Sequence, residues 1–239
     1  TMDEDFTEAV MEVFCTLYDE GLIYRGFRLA NWDVVLQTAL SDLEVISTEE
    51  QGFIWEISYK TDLGNLVVAT TRPETMLGDT AIAVNPKDKR YKEYVGKTVT
   101  IPIVGRKIKI IKDNYADPEQ GTGALKITPA HDFNDYDVGQ RNKLDIINVF
   151  TEEGKINDNA PQDYVGLDRF EARKKLLEEL KEKDFFVKEE NIKNKVPYGD
   201  RSNSVIEPFL TEQWFVDAKK LAVKAKKIVK LKKTNFFPT

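Results

Sequence analysis

At 239 residues, with 41% hydrophobic and 10% aromatic content, the chain can build one large packed domain or one domain with appendages. Its net charge of −6 argues against a surface that wraps nucleic acid throughout, and no run of about 18 apolar residues offers a membrane span. The single cysteine, Cys15, excludes an internal disulfide and a multi-cysteine zinc site, and fits a reducing cytoplasm. Charge is unevenly spread. Residues 1–50 carry twelve acids against Arg25 and Arg28, whereas residues 218–233 carry eight lysines and no acid. That basic run is either a phosphate-contacting patch or a solvated helix face.

In chain order, residues 1–20 read as a helix, with Phe6, Val10, Val13, Phe14 and Leu17 at helical spacing. Thr1 and Glu4 stand at capping-box spacing, Gly21 is the stop, and the acidic opening argues against a secretory leader. Residues 22–50, which contain Trp32, read as irregular. From Phe53 the period becomes two, with Phe53, Trp55, Ile57 and Tyr59 on one face. A turn at 62–65 leads to a buried strand at 66–69. Further strands are expected at 80–84, 98–104, 107–111 and 124–127, with a tight hairpin at Gly105. A helix is expected over 168–183, with Asp168 and Glu171 at capping-box spacing and Phe170, Leu177 and Leu180 on its apolar face. A lysine-rich helix follows over 217–233. Short strands separated by turns predict a mainly β fold with α decorations, built as a closed β-barrel. The expected division is a connecting arm at 1–51, a barrel with helical insertions at 52–195, and a second arm at 196–239.

Two segments carry chemistry. Thr70-Thr71-Arg72-Pro73-Glu74-Thr75 follows a buried strand, where a loop is held rigidly at its mouth. It supplies hydroxyls, a guanidinium and a carboxylate, or simply a Thr-based turn that ends the strand. The second, residues 121–135, runs from Gly121-Thr122-Gly123 through Lys126 and Thr128 to His131, Asp132 and Asp135. Alternation puts Lys126 and Thr128 on one side of a strand, either as a solvated face or as polar groups for a substrate. Asp132 is an N-cap candidate with Asp135 one turn in; capping alone explains the pair, as does binding of an ammonium by a carboxylate. His131 is the only histidine, so a multi-histidine metal site is excluded, and there is no nucleophile-elbow sequence. Gly78-Asp79-Thr80-Ala81 has no second copy of the kind an aspartic protease needs, and no Gly-Lys-Ser/Thr makes a phosphate loop of residues 121–123.

Both segments resemble the editing domain of the class I aminoacyl-tRNA synthetases for branched aliphatic amino acids, in the wording of its valyl branch. A third match is Val196-Pro197-Tyr198-Gly199-Asp200-Arg201-Ser202, followed by residues 205–216. The resemblance implies a barrel inserted in a nucleotide-binding catalytic fold, with arms returning to that fold. The synthetic signatures His-x-Gly-His and Lys-Met-Ser-Lys-Ser are absent and Thr1 is an odd start, so a piece of a longer enzyme is expected. It implies Asp135, Lys126 and Thr71 as catalytic residues, with Asp135 anchoring the substrate's ammonium group. Thr70, Arg72, Glu74, Thr75, Thr128, His131 and Asp132 are implied to bind substrate. The implied reaction is hydrolysis of threonyl-tRNA(Val) at the terminal ribose ester. Partners would be the acceptor end of tRNA(Val) carrying threonine and the parent's catalytic domain. A monomer is expected. No cofactor is expected in this part, since ATP and Mg would serve the parent's synthetic domain. Family members often carry a cysteine-containing metal segment near the position of Asn31-Trp32-Asp33; here none is present, so no metal is expected. A valine site cannot strongly reject threonine, the valyl enzyme being itself the standard illustration of that limit, so a second, polar site is needed. The rival readings are a module that binds tRNA or amino acid without turnover, and a decayed insertion.

Overall fold

The computed structural model describes residues 3–234. Seven strands form one sheet. Six follow the order β4 (Gly64–Thr70), β3 (Val45–Thr61), β6 (Thr98–Thr100), β7 (Lys107–Lys112), β5 (Ala81–Val84) and β8 (Ala124–Ile127); β9 (Phe186–Gly199) also pairs with β3. A smaller sheet has the order β10 (Glu207–Val216), β1 (Ile23–Asp33) and β2 (Thr38–Leu40).

The barrel is not closed, contrary to expectation. The sheet curls so that its end strands β4 and β8 approach within 8 Å in Cα, but no ladder joins them. The result is a curled half-barrel. The gap between those strands is a cavity lined by Ala69 and Thr70 on one side and by Ala124, Leu125 and Lys126 on the other. A closing ladder would fill that space with backbone.

Alternation explains the core. In β5 all four residues are buried. Ile82 and Val84 join the large core with Ile57, Tyr59, Val68 and Ile110, while Ala81 and Ala83 pack with Ile127 and with Val138 of α2 (Phe133–Asn142). Helix α3 (Arg169–Glu182) closes the large core with Ala172, Leu176 and Leu180. Phe170 is exposed, so its expected place on the apolar face is wrong; the stripe runs through positions four apart, starting at Ala172. Asp168 does cap this helix, accepting from the Phe170 N–H. The hairpin at Gly105 forms, with φ +74 and the Ile101 N–H donating to Arg106 O at 2.9 Å; β6 ends at Thr100, short of the expected 104.

Residues 22–50 are not irregular. They hold β1, β2 and the first part of β3, which runs for 17 residues. Its beginning, Val45-Ile46-Ser47-Thr48-Glu49-Glu50-Gln51, pairs with β9 in register from Val45↔Gly199. The β3 segment is polar and largely exposed there, and its β9 partner is mostly half-buried with Pro197 and Gly199 interrupting it, so neither shows a clean apolar period.

The chain divides into two compact units, residues 29–210 and the pair of segments 1–28 and 211–239. In the second, α1 (Glu4–Asp19) is capped by Asp3, which accepts from Asp5 and Phe6 N–H; the expected capping residue Thr1 lies outside the described residues. Gly21, at φ +67, ends the helix as expected, donating to Tyr18 O at 2.9 Å. Helix α4 (Ala218–Lys230) is capped by Asp217. No residue of α1 or α4 is buried among those described.

Candidate functional site

The cavity between β4 and β8 holds about 460 Å³. It brings together nine of the ten residues singled out from the sequence: Thr70, Thr71, Arg72, Thr75, Lys126, Thr128, His131, Asp132 and Asp135. Its rim is completed by the glycine-rich loop after β7. Gly121, at φ +52, would place a Cβ 3.1 Å from that of Ala69, and Gly123, at φ +79, would drive one to 2.4 Å from the Arg90 guanidinium. Both positions therefore need glycine.

At the end of β4 the Thr70 hydroxyl accepts from the Arg72 N–H at 3.0 Å, and the Thr75 hydroxyl donates to Arg72 O at 2.9 Å. The turn anticipated as the plain alternative is thus present, and it shapes the cavity wall. Pro73 opens the buried 3₁₀ turn Pro73–Gly78. A Cβ on Gly78 would meet Ile147 O at 2.7 Å, so this turn is seated hard against the 147–149 segment.

Lys126 and Thr128 point to the same side, as alternation requires. The Lys126 ammonium donates to Thr75 Oγ1 (2.9 Å), Thr128 Oγ1 (2.5 Å) and Asp79 Oδ1 (3.2 Å). Its three protons have three acceptors. Thr128 Oγ1 donates to Asp79 Oδ1 at 2.6 Å, and the Tyr59 hydroxyl donates to Asp79 Oδ2 at 2.7 Å. Asp79 is fully buried, and burial raises its carboxyl above the usual range although Lys126 and the hydroxyls oppose the shift. Sequence reading missed this residue. Burial, with the Asp79 carboxylate adding to it, pushes the Tyr59 hydroxyl well up.

Asp132 caps α2, accepting from Asn134 N–H (2.8 Å) and Asp135 N–H (3.1 Å). Asp135 Oδ2 accepts from the Thr128 N–H at 2.9 Å, while Oδ1 has no protein partner among the described residues. Asp135 is 7% exposed and lines the cavity. Burial is the main reason its carboxyl is pushed up to about 7; Asp132 adds to the shift and Lys126 opposes it. This carboxylate is buried, incompletely satisfied, and faces open space.

His131 is held differently. Its Nε2 accepts from the Val149 N–H at 3.0 Å, so the neutral ring carries its proton on Nδ1, which is buried and unpartnered. Burial, with Arg72 and Lys126 nearby, drives its pKa well below the ordinary histidine value. It forms the wall as a neutral ring packed on Phe150 at 4.5 Å.

Glu74 is the exception among the ten. It is completely buried, grips Arg173 at 2.7 and 2.8 Å, and does not line the cavity. Arg72 is largely committed as well. It donates to His131 O at 2.9 Å and to Glu207, and its Nε lies 3.6 Å from Glu74. Glu207 in turn pairs with Arg169 at 3.1 Å. Alternating charges Arg173–Glu74–Arg72–Glu207–Arg169 therefore lock the 70–75 loop to α3 and to the start of β10. Only Thr71, half-buried and without a side-chain hydrogen bond among the described residues, keeps a free hydroxyl on this loop. No group of three or more His, Cys, Asp or Glu residues is placed to hold a metal ion among the described residues, and none of their helices is long and apolar enough to cross a membrane.

The profile of the tRNA synthetases class I (I, L, M and V) matches residues 1–239. The chain belongs to the class I tRNA synthetases. It is 70% identical over 240 residues to the valine–tRNA ligase of Pelagibacter ubique, covering 100% of this chain and 27% of that protein. It is 52% identical over 247 residues to the valine–tRNA ligase of Dechloromonas aromatica, covering 100% and 26%. For Caulobacter vibrioides valine–tRNA ligase the identity is 51% over 260 residues, covering 100% and 29%. The chain thus spans about a quarter of the length of these relatives. The leucyl-tRNA synthetase ternary complex of Agrobacterium radiobacter K84 with tRNA and LeuAMS overlaps 77% of this chain and 31% of its own, at a TM-score of 0.45 and 21% identity.

In this class I synthetase chain, two of the deciding residues were hidden from pattern reading. Asp79 sits in a short Gly-Asp-Thr stretch that predicts nothing locally, and Glu207 belongs to the third motif, 135 residues beyond the arginine it holds. The only signal for Asp79 was a carboxylate placed just after the apolar pair Met76-Leu77, where an unpaired buried charge is too costly to leave.

Proposed function

We propose that the cavity between β4 and β8 is an editing site that hydrolyses the ester of threonyl-tRNA(Val). The observation that carries the proposal is the free oxygen of Asp135. A buried carboxylate lacking one partner, in a cavity walled by both sequence motifs, suits an α-ammonium group. On this reading Asp135 anchors the ammonium and the 70–75 loop holds the terminal adenosine. The threonine hydroxyl meets Thr71, the free hydroxyl of that loop. Valine would leave that polar group desolvated and unpaired, at about 1–3 kcal/mol.

The reaction needs no covalent enzyme intermediate. A water oxygen adds to the ester carbonyl and the bond to the ribose oxygen breaks. Threonine leaves as its carboxylate; one proton of the water restores the ribose hydroxyl, relayed through the neighbouring ribose hydroxyl, and the other is released to solvent. The protein contributes orientation and fixed charge. Lys126 serves by holding Thr75, Asp79 and Thr128 in place rather than by contacting substrate, because its protons are already taken. The proposed step uses no metal or cofactor. Partners of the kind named for the relatives, a tRNA and the remainder of a valine–tRNA ligase, belong to the same proposal.

Asp135→Ala tests it. Deacylation of threonyl-tRNA(Val) is expected to be lost while the far-ultraviolet spectrum and cooperative melting are retained. Wild-type rates in a folded variant would remove Asp135 from the role given to it.

A further inference from the structure

The loop after β7 has a base and a tip, and the two are held differently. At the base, Asp113 is gripped by Arg141 and Asn142 of α2 at 2.6–2.9 Å, and Asn85 donates to Ala116 O at 2.7 Å. The tip, residues 117–123, lies across the seam that the half-barrel leaves open. Gly121 seats it against Ala69 of β4, and Gly123 leads it into β8. Asp117, Gln120, Gly121, Thr122 and Gly123 face the first cavity. Yet Asp117, Glu119, Gln120 and Gly121 are exposed, and the stretch Asp-Pro-Glu-Gln-Gly-Thr-Gly has no large apolar side chain to anchor it. A wall of that composition opens easily unless something ties it.

Two residues outside the cavity supply the ties. Asp88 caps the 3₁₀ turn Lys89–Tyr91, accepting from the Arg90 N–H at 3.0 Å. The Arg90 guanidinium folds back on the same carboxylate, with Nε 3.0 Å from Oδ1 and Nη2 2.6 Å from Oδ2. That pairing fixes the direction of the fork, and Nη2 also donates to Pro118 O at 2.9 Å. The Tyr91 hydroxyl donates to Thr122 O at 2.6 Å, while its ring packs beside Tyr94 and the large core. Among the described residues, these are the tip's two hydrogen bonds to anything beyond the loop and β8, one near each end. Neither Arg90 nor Tyr91 lines the cavity. Both end on backbone carbonyls of one cavity wall, so they act on the position of that wall rather than on a ligand.

We propose that Arg90 and Tyr91 are positioning residues that hold the 117–123 tip in place, so that the cavity wall is built before the ester arrives. The substrate in this statement rests on the hydrolytic reading; the tie itself does not. A wall already in place need not be ordered when substrate binds, whereas Asp135 and Thr71, the groups assigned to the ester, stay where they are. Tyr91→Phe deletes one hydroxyl and keeps the ring, and Arg90→Ala deletes the other tie at an exposed site. Each is expected to raise KM for threonyl-tRNA(Val) about tenfold with kcat within about twofold, the mark of lost binding rather than lost chemistry. Hydrogen exchange supplies the independent readout. The Gln120 and Gly123 N–H groups are bonded inside the tip, to Asp117 O and Gln120 O, so their exchange reports its opening. It should quicken about tenfold in both variants, by loss of one hydrogen bond, with the amides of the core residues Ile82 and Ile110 unchanged. Unchanged exchange at the tip overturns the tie, and faster exchange with an unchanged KM overturns its role in binding. Equal quickening in tip and core would mean a general loosening of the fold and also overturns it. Should the wild type not hydrolyse the ester, the editing reading fails, and exchange alone then decides whether these residues hold the tip.

Discussion

Replacing Asp135 with asparagine should make the protein more stable and less active at once. The Asp135 carboxyl is pushed up to about 7 in the folded chain from a usual 3.8, with burial the main cause. Between those values the unfolded chain has lost a proton that the native state still holds, so stability falls as pH rises through this window. At about 1.36 kcal/mol per pH unit, the gap is worth about 4 kcal/mol, fully felt above pH 7. Asparagine carries no charge and can still accept the Thr128 N–H that Asp135 Oδ2 accepts now at 2.9 Å. Asp135→Asn should therefore match the wild type near pH 4 and exceed it by up to about 4 kcal/mol at pH 8. Urea unfolding of both proteins at the two pH values measures this. A stability difference that does not grow with pH, or an asparagine variant weaker at pH 8, would refute the reasoning about burial. The same carboxylate explains the functional cost. A substrate ammonium favours the ionised form, so ester binding should release a proton below pH 7, and kcat/KM should rise with pH toward a plateau above it.

Three further outcomes follow from the geometry. Lys126→Met leaves Asp79 buried without its cation and should cost about 3–5 kcal/mol of stability, read by urea unfolding; undiminished stability would mean that Asp79 is protonated and content without the lysine. Thr71→Val removes the free hydroxyl of the 70–75 loop and should change stability by less than about 0.5 kcal/mol. It should also narrow the preference for threonyl over valyl esters, measured as a ratio of deacylation rates. Gly78→Ala places a methyl 2.7 Å from Ile147 O and should lower the melting temperature while displacing the turn that carries Thr75.

Local signals carried much of this site. The strand 124–127 emerged with the expected bounds, Asp132 caps α2, and Lys126 and Thr128 share a side as their spacing requires. Each of these depends on neighbours in sequence. What stayed hidden depends on partners far along the chain. The first half of β3 looks polar and aimless until β9, some 140 residues later, pairs with it. Barrel closure could not be read from strand count, because it turns on whether β4 and β8 meet, and the cavity lies between them. Glu74 and Arg72 resembled substrate-binding groups in the motif. Their charges are instead largely spent on Arg173 and Glu207, contributed by α3 and β10. Charge in a motif marks a place where the fold needs an ion; only the partners decide whether that ion faces a ligand or the protein itself.

Hydrolysis of threonyl-tRNA(Val) by this chain, run beside valyl-tRNA(Val), tests the central claim most directly. The account predicts rapid loss of threonine and survival of the valyl ester. Equal rates for both, or slow loss of threonine despite binding of the RNA end, would contradict an editing site between β4 and β8.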